Sequence, residues 1–163
     1  MRLIFLIKHH FFSAFRELFV HHHGSLEFRA KLFALLIAAN KDAKVENYIT
    51  VKKIGMEIYK NDEERANLLI LSTKELVTKI KESNELSIDT LISNIQRELR
   101  QVPRYAKKID IDSLKELVAY THDRDCISYQ ENILEFLETL KEETLHEKKS
   151  QIEKDEANIE SKY

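Results

Sequence analysis

The chain of 163 residues has a length typical of one domain, with 43% hydrophobic and 33% charged residues. It contains only two glycines and one proline, which argues against β-sandwiches, β-barrels and nucleotide-binding loops, because tight turns and phosphate loops need glycine. A single cysteine excludes an intramolecular disulfide and a CxxC zinc site, and the net charge of −2 argues against general binding to nucleic acid. An all-α fold is therefore expected.

Residues 1–25 are predicted to form an aromatic-rich helix followed by a hinge. The longest uninterrupted apolar run, Leu3 to Ile7, is too short to span a membrane, and no small-residue cleavage site of a signal peptide follows it. A cytoplasmic chain is therefore expected. One face of the helix gathers five phenylalanines: Phe5, Phe11, Phe12, Phe15 and Phe19. This face either packs on the domain core or docks on a partner protein or a membrane surface.

Three histidines, residues 21–23, follow this helix. Gly24 is predicted to end the helix, and Ser25 can cap the next one. Consecutive helical residues point about 100° apart, so the three histidines cannot easily all reach one ion. A hinge is therefore the favoured interpretation, and a metal site or the remnant of a purification tag is the alternative.

A helical bundle is predicted for residues 26–141, because apolar residues recur there with the helical period. The first predicted helix covers residues 26–39, and the second covers 45–60, where Gly55 allows close approach of a neighbour. A third helix is capped by Asn61 and followed by a connection over 81–85, and a fourth is capped by Ser87 and stopped by Pro103. A short turn over 105–109 then precedes two helices, which are opened by capping boxes at Ser113–Glu116 and Ser128–Glu131. Five residues are expected to share one core: Phe33, Leu36, Leu117, Leu134 and Leu137.

Residues 142–163 are predicted to form a charged helical extension. Leu145, Ile152 and Ile159 recur every seven residues among mostly charged neighbours, which is half of a coiled-coil seam. The segment is expected to be a solvated helix, with a linker helix or a partner-binding helix as the alternative.

Two loops have the same pattern and suggest a duplicated helical hairpin. Each joins an apolar helix to a new helix through a polar turn with an aspartate, and Asp42 and Asp123 stand 81 residues apart. Carboxylates at helix starts suit Ca²⁺ or Mg²⁺, although they also serve as caps and turns. The candidate metal ligands are Asp42, Asp123, Asp125 and Glu131. His122 beside Asp123, with Cys126 nearby, is weak support for nucleophilic catalysis, so no catalytic residue and no obligatory cofactor are expected.

The paired loops resemble those of the TerB-like family of all-α domains, of the tellurite-resistance type. The similar segments run from Leu32 to Val45 and from Leu114 to Glu131, and the resemblance covers about residues 26–141. It implies a bundle of six or seven helices, divalent-cation binding and a place in bacterial stress-response complexes at the membrane. A related domain occurs in membrane-anchored DnaJ-like co-chaperones. Ala43 stands where the family has its turn glycine, and no His-Pro-Asp motif of a J domain occurs in the chain.

The residues and the resemblance together lead us to expect a non-enzymatic interaction or scaffold domain in a stress-response or co-chaperone setting. It would bind a protein partner or self-associate. Two other functions stay open: a divalent-cation-binding regulatory domain, and a peripheral membrane module that uses the N-terminal aromatic helix at the inner membrane.

Overall fold

The computed structural model describes residues 24–42 and 44–162, and this part of the chain is entirely helical, without strands. The expected all-α bundle of six or seven helices is confirmed. In chain order the elements are α1 (Gly24–Ala38), α2 (Val45–Ile58), α3 (Glu63–Lys81), α4 (Ile88–Gln101), a 3-10 helix (Pro103–Lys108), α5 (Ile111–Val118) and α6 (Arg124–Glu160).

Helix α1 is the centre of the bundle. Ten of its fifteen residues are buried, on every side of the helix. It contacts α3, α4, α5 and the 3-10 helix. The second half of α1, residues 32–38, is apolar and buried all round, and a helix segment of this kind must be enclosed by its neighbours.

One apolar core joins the two predicted hairpins. It includes all five residues that were expected to share it: Phe33, Leu36, Leu117, Leu134 and Leu137. The expected connection after α3 and the stop at Pro103 are also present, since α3 ends at Lys81 and the 3-10 helix begins at Pro103.

The α2–α3 hairpin is closed by a tight contact at Gly55. A Cβ atom at this position would lie 3.2 Å from the Cα of Ala66 and 3.3 Å from a Leu69 methyl carbon. The expected close approach at this glycine is therefore confirmed. The turn that follows differs from the sequence prediction, because Asp62 caps α3 while Asn61 adopts a left-handed backbone conformation with φ of 66°.

Two predicted capping boxes are wrong for a common reason. At both sites an aspartate earlier in the chain accepts the hydrogen bond of the cap, so the helix begins sooner. Asp110 accepts from the backbone N–H of Ser113, and Asp123 accepts from that of Cys126. Ser128 therefore lies inside α6. The predictions for Gly24 and Ser25 are also wrong, because both residues lie within α1, where Gly24 does not end a helix and Ser25 does not cap one.

Helix α6 continues beyond the bundle without interruption. Its 37 residues span about 55 Å, and the boundary predicted after residue 141 falls inside the helix. Leu137 is fully buried, whereas nearly all side chains from residue 151 onward are exposed. We call residues 142–160 the α6 extension.

Candidate functional sites

The two acidic loops meet at one end of the bundle. The Lys81 ammonium, at the end of α3, donates hydrogen bonds to the backbone oxygens of Asn40 and Lys41, the latter at 3.1 Å. Lys41 in turn lies close enough to Asp123 to act on it electrostatically. Burial lowers the pKa of Lys81, although nearby Asp42 opposes this shift. The end of α3 is therefore hydrogen-bonded to the first loop, and the second loop lies close by.

The four candidate metal ligands are all exposed: Asp42, Asp123, Asp125 and Glu131. Asp123 serves as the N-cap of α6, and the hydrogen bond from the Cys126 backbone N–H lowers the pKa of its carboxyl. Within residues 24–42 and 44–162, no group of three His, Cys, Asp or Glu side chains is placed to hold a metal ion. The Lys81 ammonium contacts the first of the two loops, through the backbone oxygens of Asn40 and Lys41.

We expect calcium, magnesium and manganese at millimolar concentration to leave the melting temperature of the chain unchanged. An ion that binds only the folded state must raise it by mass action. The measurement is thermal denaturation with and without each salt. The double variant Asp123→Asn with Asp125→Asn is the control. A rise in the intact chain that this variant abolishes would contradict the expectation and establish a cation site.

Two hydrogen bonds connect the hairpins near the end of the bundle where the acidic loops lie. The Gln130 side-chain amide, 1% exposed, donates to the backbone oxygen of Leu36 at 2.9 Å, and the Thr50 hydroxyl donates to the Tyr120 hydroxyl at 3.0 Å. Sequence reasoning missed Gln130 by placing it in a capping box. Its position four residues after buried Cys126 was the available signal, because such residues share a helix face.

The pair considered for catalysis is divided between two environments. Cys126 is buried, while His122 is exposed in the turn before α6. The adjacent Asp123 caps the helix through the Cys126 backbone. The structural role of Asp123 and Cys126 is therefore to form the start of α6, and His122 lies in the turn that precedes it.

The opposite end of the chain's central helix meets a basic segment. Residues 97–108 contain five basic side chains and one acidic one, Glu98, which pairs with Lys31 at 2.7 Å. Tyr105 of the 3-10 helix packs on Phe28, and its hydroxyl lies 2.6 Å from where a Cβ of Gly24 would be. Gly24, the first described residue of α1, therefore lies beside this basic 3-10 helix.

A small cleft beside the 3-10 helix is lined by three positively charged side chains. It has a volume of about 110 Å³ and lies between α1, α2, the 3-10 helix and α5. Arg29, Lys107 and Lys108 line it over an apolar floor, and the one carboxylate there, Asp110, already accepts hydrogen bonds from Ser113. We call Arg29, Arg104, Lys107 and Lys108 the basic cluster.

A larger groove of about 540 Å³ separates α4 from the α6 extension. Apolar side chains of Leu99, Leu140 and Ile152 line it between polar and charged ones. The extension leaves the bundle next to the 3-10 helix, since the Lys141 ammonium donates to the backbone oxygen of Ile109 at 2.7 Å.

The predicted docking residues lie outside the described part of the chain: Phe5, Phe11, Phe12, Phe15 and Phe19. In residues 24–42 and 44–162, no helix combines the length and the hydrophobicity that crossing a membrane requires.

Comparisons with protein-family models, with curated proteins and with solved structures gave no match.

Proposed function

We propose that the chain is a non-enzymatic interaction or scaffold domain, which acts in a bacterial stress-response or co-chaperone complex as the TerB-like resemblance implies. The observation that carries the proposal is that two segments meet the bundle at one place. Gly24, the first described residue after the aromatic sequence, lies beside Tyr105, and the α6 extension begins beside Ile109. Both positions lie next to the 3-10 helix, so a partner could contact the aromatic segment and the α6 extension at the same time.

A groove beside the α6 extension supports the proposal. The groove between α4 and α6 combines an apolar floor with charged rims, which is the usual anatomy of a specific interface. The core is supplied by residues of all the described helices, so we expect residues 24–162 to fold without the aromatic segment.

We expect the double variant Phe11→Ser with Phe12→Ser to remain folded and to lose a partner that the intact chain retains in stoichiometric amount. The loss should be at least tenfold, because two aromatic anchors are removed from the docking face. Affinity purification with quantitative mass spectrometry measures it, and circular dichroism melting reports the fold. The matched control is His9→Ser with His10→Ser, the neighbouring pair, which should retain the partner.

Two results would contradict this proposal. If both double variants and the intact chain retain the same proteins in the same amounts, the phenylalanines are not a docking face. If deletion of residues 1–22 unfolds the chain, the aromatic segment belongs to the core.

A peripheral membrane module is the second candidate, and the basic cluster favours it. Arg104 lies over the ring of Tyr105, the neighbour of Gly24, and Arg29, Lys107 and Lys108 line the small cleft, so the 3-10 helix presents positive charge on the side of the bundle where Gly24 lies. Basic side chains near aromatic anchors attract anionic lipid. The test is whether the chain sediments with anionic vesicles. If it does, and if the double variant Phe11→Ser with Phe12→Ser no longer does, the result would favour membrane binding over protein binding.

A further inference from the structure

The α6 extension carries an apolar seam of three residues, of which its own bundle leaves the last two exposed. Ile152 is 48% exposed and Ile159 is 60% exposed, while Leu145, one heptad earlier, packs against the core. Residues seven apart are displaced by only about 20° around a helix, so the three side chains form one stripe. A stripe of this kind is half of a helix–helix interface.

The charges beside this stripe have a specific order. With 100° between successive residues, Lys148 and Asp155 flank the seam on the side of the groove, and Lys149 and Glu156 flank it on the other side. Between residues 145 and 159, each flank therefore carries one lysine in its first half and one acidic residue in its second half.

This order selects the direction of a helix pair. In a parallel pair in register, the flank with Lys148 and Asp155 faces the flank with Lys149 and Glu156 of the second copy. Lysine would then face lysine, and Asp155 would face Glu156. In an antiparallel pair centred on Ile152, Lys148 faces Asp155 of the second copy and Lys149 faces Glu156 of the second copy. Two-fold symmetry then produces each ion pair twice, and opposite charges at such flanking positions set partner orientation.

We infer that a second copy of this chain binds the α6 extension antiparallel, with Ile152 on the two-fold axis. Leu145 of one copy then packs against Ile159 of the other, so every residue of the seam has an apolar neighbour. The interface is self-complementary and closes as a dimer. The inference rests on the proposed role as an interaction domain, but it concerns a surface distinct from the N-terminal aromatic segment.

Sedimentation velocity over a range of concentrations tests the association. We expect Ile152→Asp to weaken the dimer at least tenfold, because it places two carboxylates at the axis. The matched control is Ile49→Asp on α2, where the side chain is 63% exposed, and it should dimerise like the intact chain. An intact chain that stays monomeric at all concentrations, or a dimer that Ile152→Asp leaves unchanged, would overturn the inference.

A charge exchange tests the pairing. Lys148→Glu with Lys149→Glu should weaken the dimer, and so should Asp155→Lys with Glu156→Lys. The fourfold variant should restore it, because the opposite charges face each other again. If the fourfold variant is as weak as the double variants, the proposed pairing is wrong.

Disulfide formation tests the direction, in a Cys126→Ala background. Ile152→Cys should cross-link to itself on mild oxidation, because its two copies meet at the axis. Ile159→Cys should not, because its two copies lie about 21 Å apart along the helices. Equal cross-linking of both variants would show a parallel pair and overturn the antiparallel arrangement.

Deletion of residues 1–22 should leave this dimer intact. Failure of the proposed docking by the N-terminal segment can therefore be distinguished from failure of the dimer.

Discussion

Truncation of Leu36 to alanine is expected to lower the free energy of unfolding by about 2–5 kcal/mol. Leu36 is fully buried in α1, the helix around which the others pack, and the surrounding helices cannot all move inward to fill the space left by a smaller side chain. Leu134→Ala, in the second hairpin, should have an effect in the same range, because both residues belong to one core. Chemical denaturation at equilibrium measures both.

The control for this prediction is Leu71→Ala on α3. Its side chain is 39% exposed, so truncation should cost less than about 0.5 kcal/mol. If Leu36→Ala and Leu134→Ala also fall below about 0.5 kcal/mol, these residues do not belong to a packed core and the architecture is wrong.

Replacement of Gly55 by leucine is expected to destabilise the chain by about 1–3 kcal/mol. The Cβ atom alone would approach the backbone of Ala66 within 3.2 Å, which leaves no room for the remaining carbons. The two helices must move apart, and the apolar contacts of α2 with α3 are weakened. The denaturant midpoint should fall while the slope of the transition is unchanged.

The matched control is Met56→Leu, at the next position of α2, where the side chain is partly exposed. It should change the stability by less than about 0.5 kcal/mol. A Gly55→Leu chain as stable as the Met56→Leu chain would show that α2 and α3 do not approach as closely as described.

The helical content and the core followed from apolar periodicity, because burial at every third or fourth residue is a strong local constraint. Phe33, Leu36 and Leu137 could therefore be placed correctly before their neighbours were known. The starts of α5 and α6 could not. Ser113 and Ser128 have the pattern of a capping box, but an aspartate located earlier took the role at each site. Local sequence allows several caps, and tertiary packing decides among them.

The acidic loops illustrate a different limit. Asp42 and Asp123 were correctly recognised as loop residues that start or precede a helix. The contact of Lys81 with the loop oxygens spans about forty residues of sequence and has no local signal. The same holds for Gln130, whose hydrogen bond to the Leu36 backbone depends on how α1 and α6 pack. Sequence patterns identify the groups that can interact, and the fold determines which of them do.

Amide hydrogen exchange of the intact chain, followed at low and high protein concentration, tests most directly whether the bundle is a scaffold whose interactions lie outside its core. We expect the amides of residues 32–37 in α1 to exchange slowest and at a rate independent of concentration, because only global unfolding exposes them. The amides of residues 145–159 should exchange rapidly at low concentration and become protected at high concentration, as the second copy covers them. Protection of residues 145–159 that does not change with concentration, or rapid exchange of residues 32–37, would contradict this account.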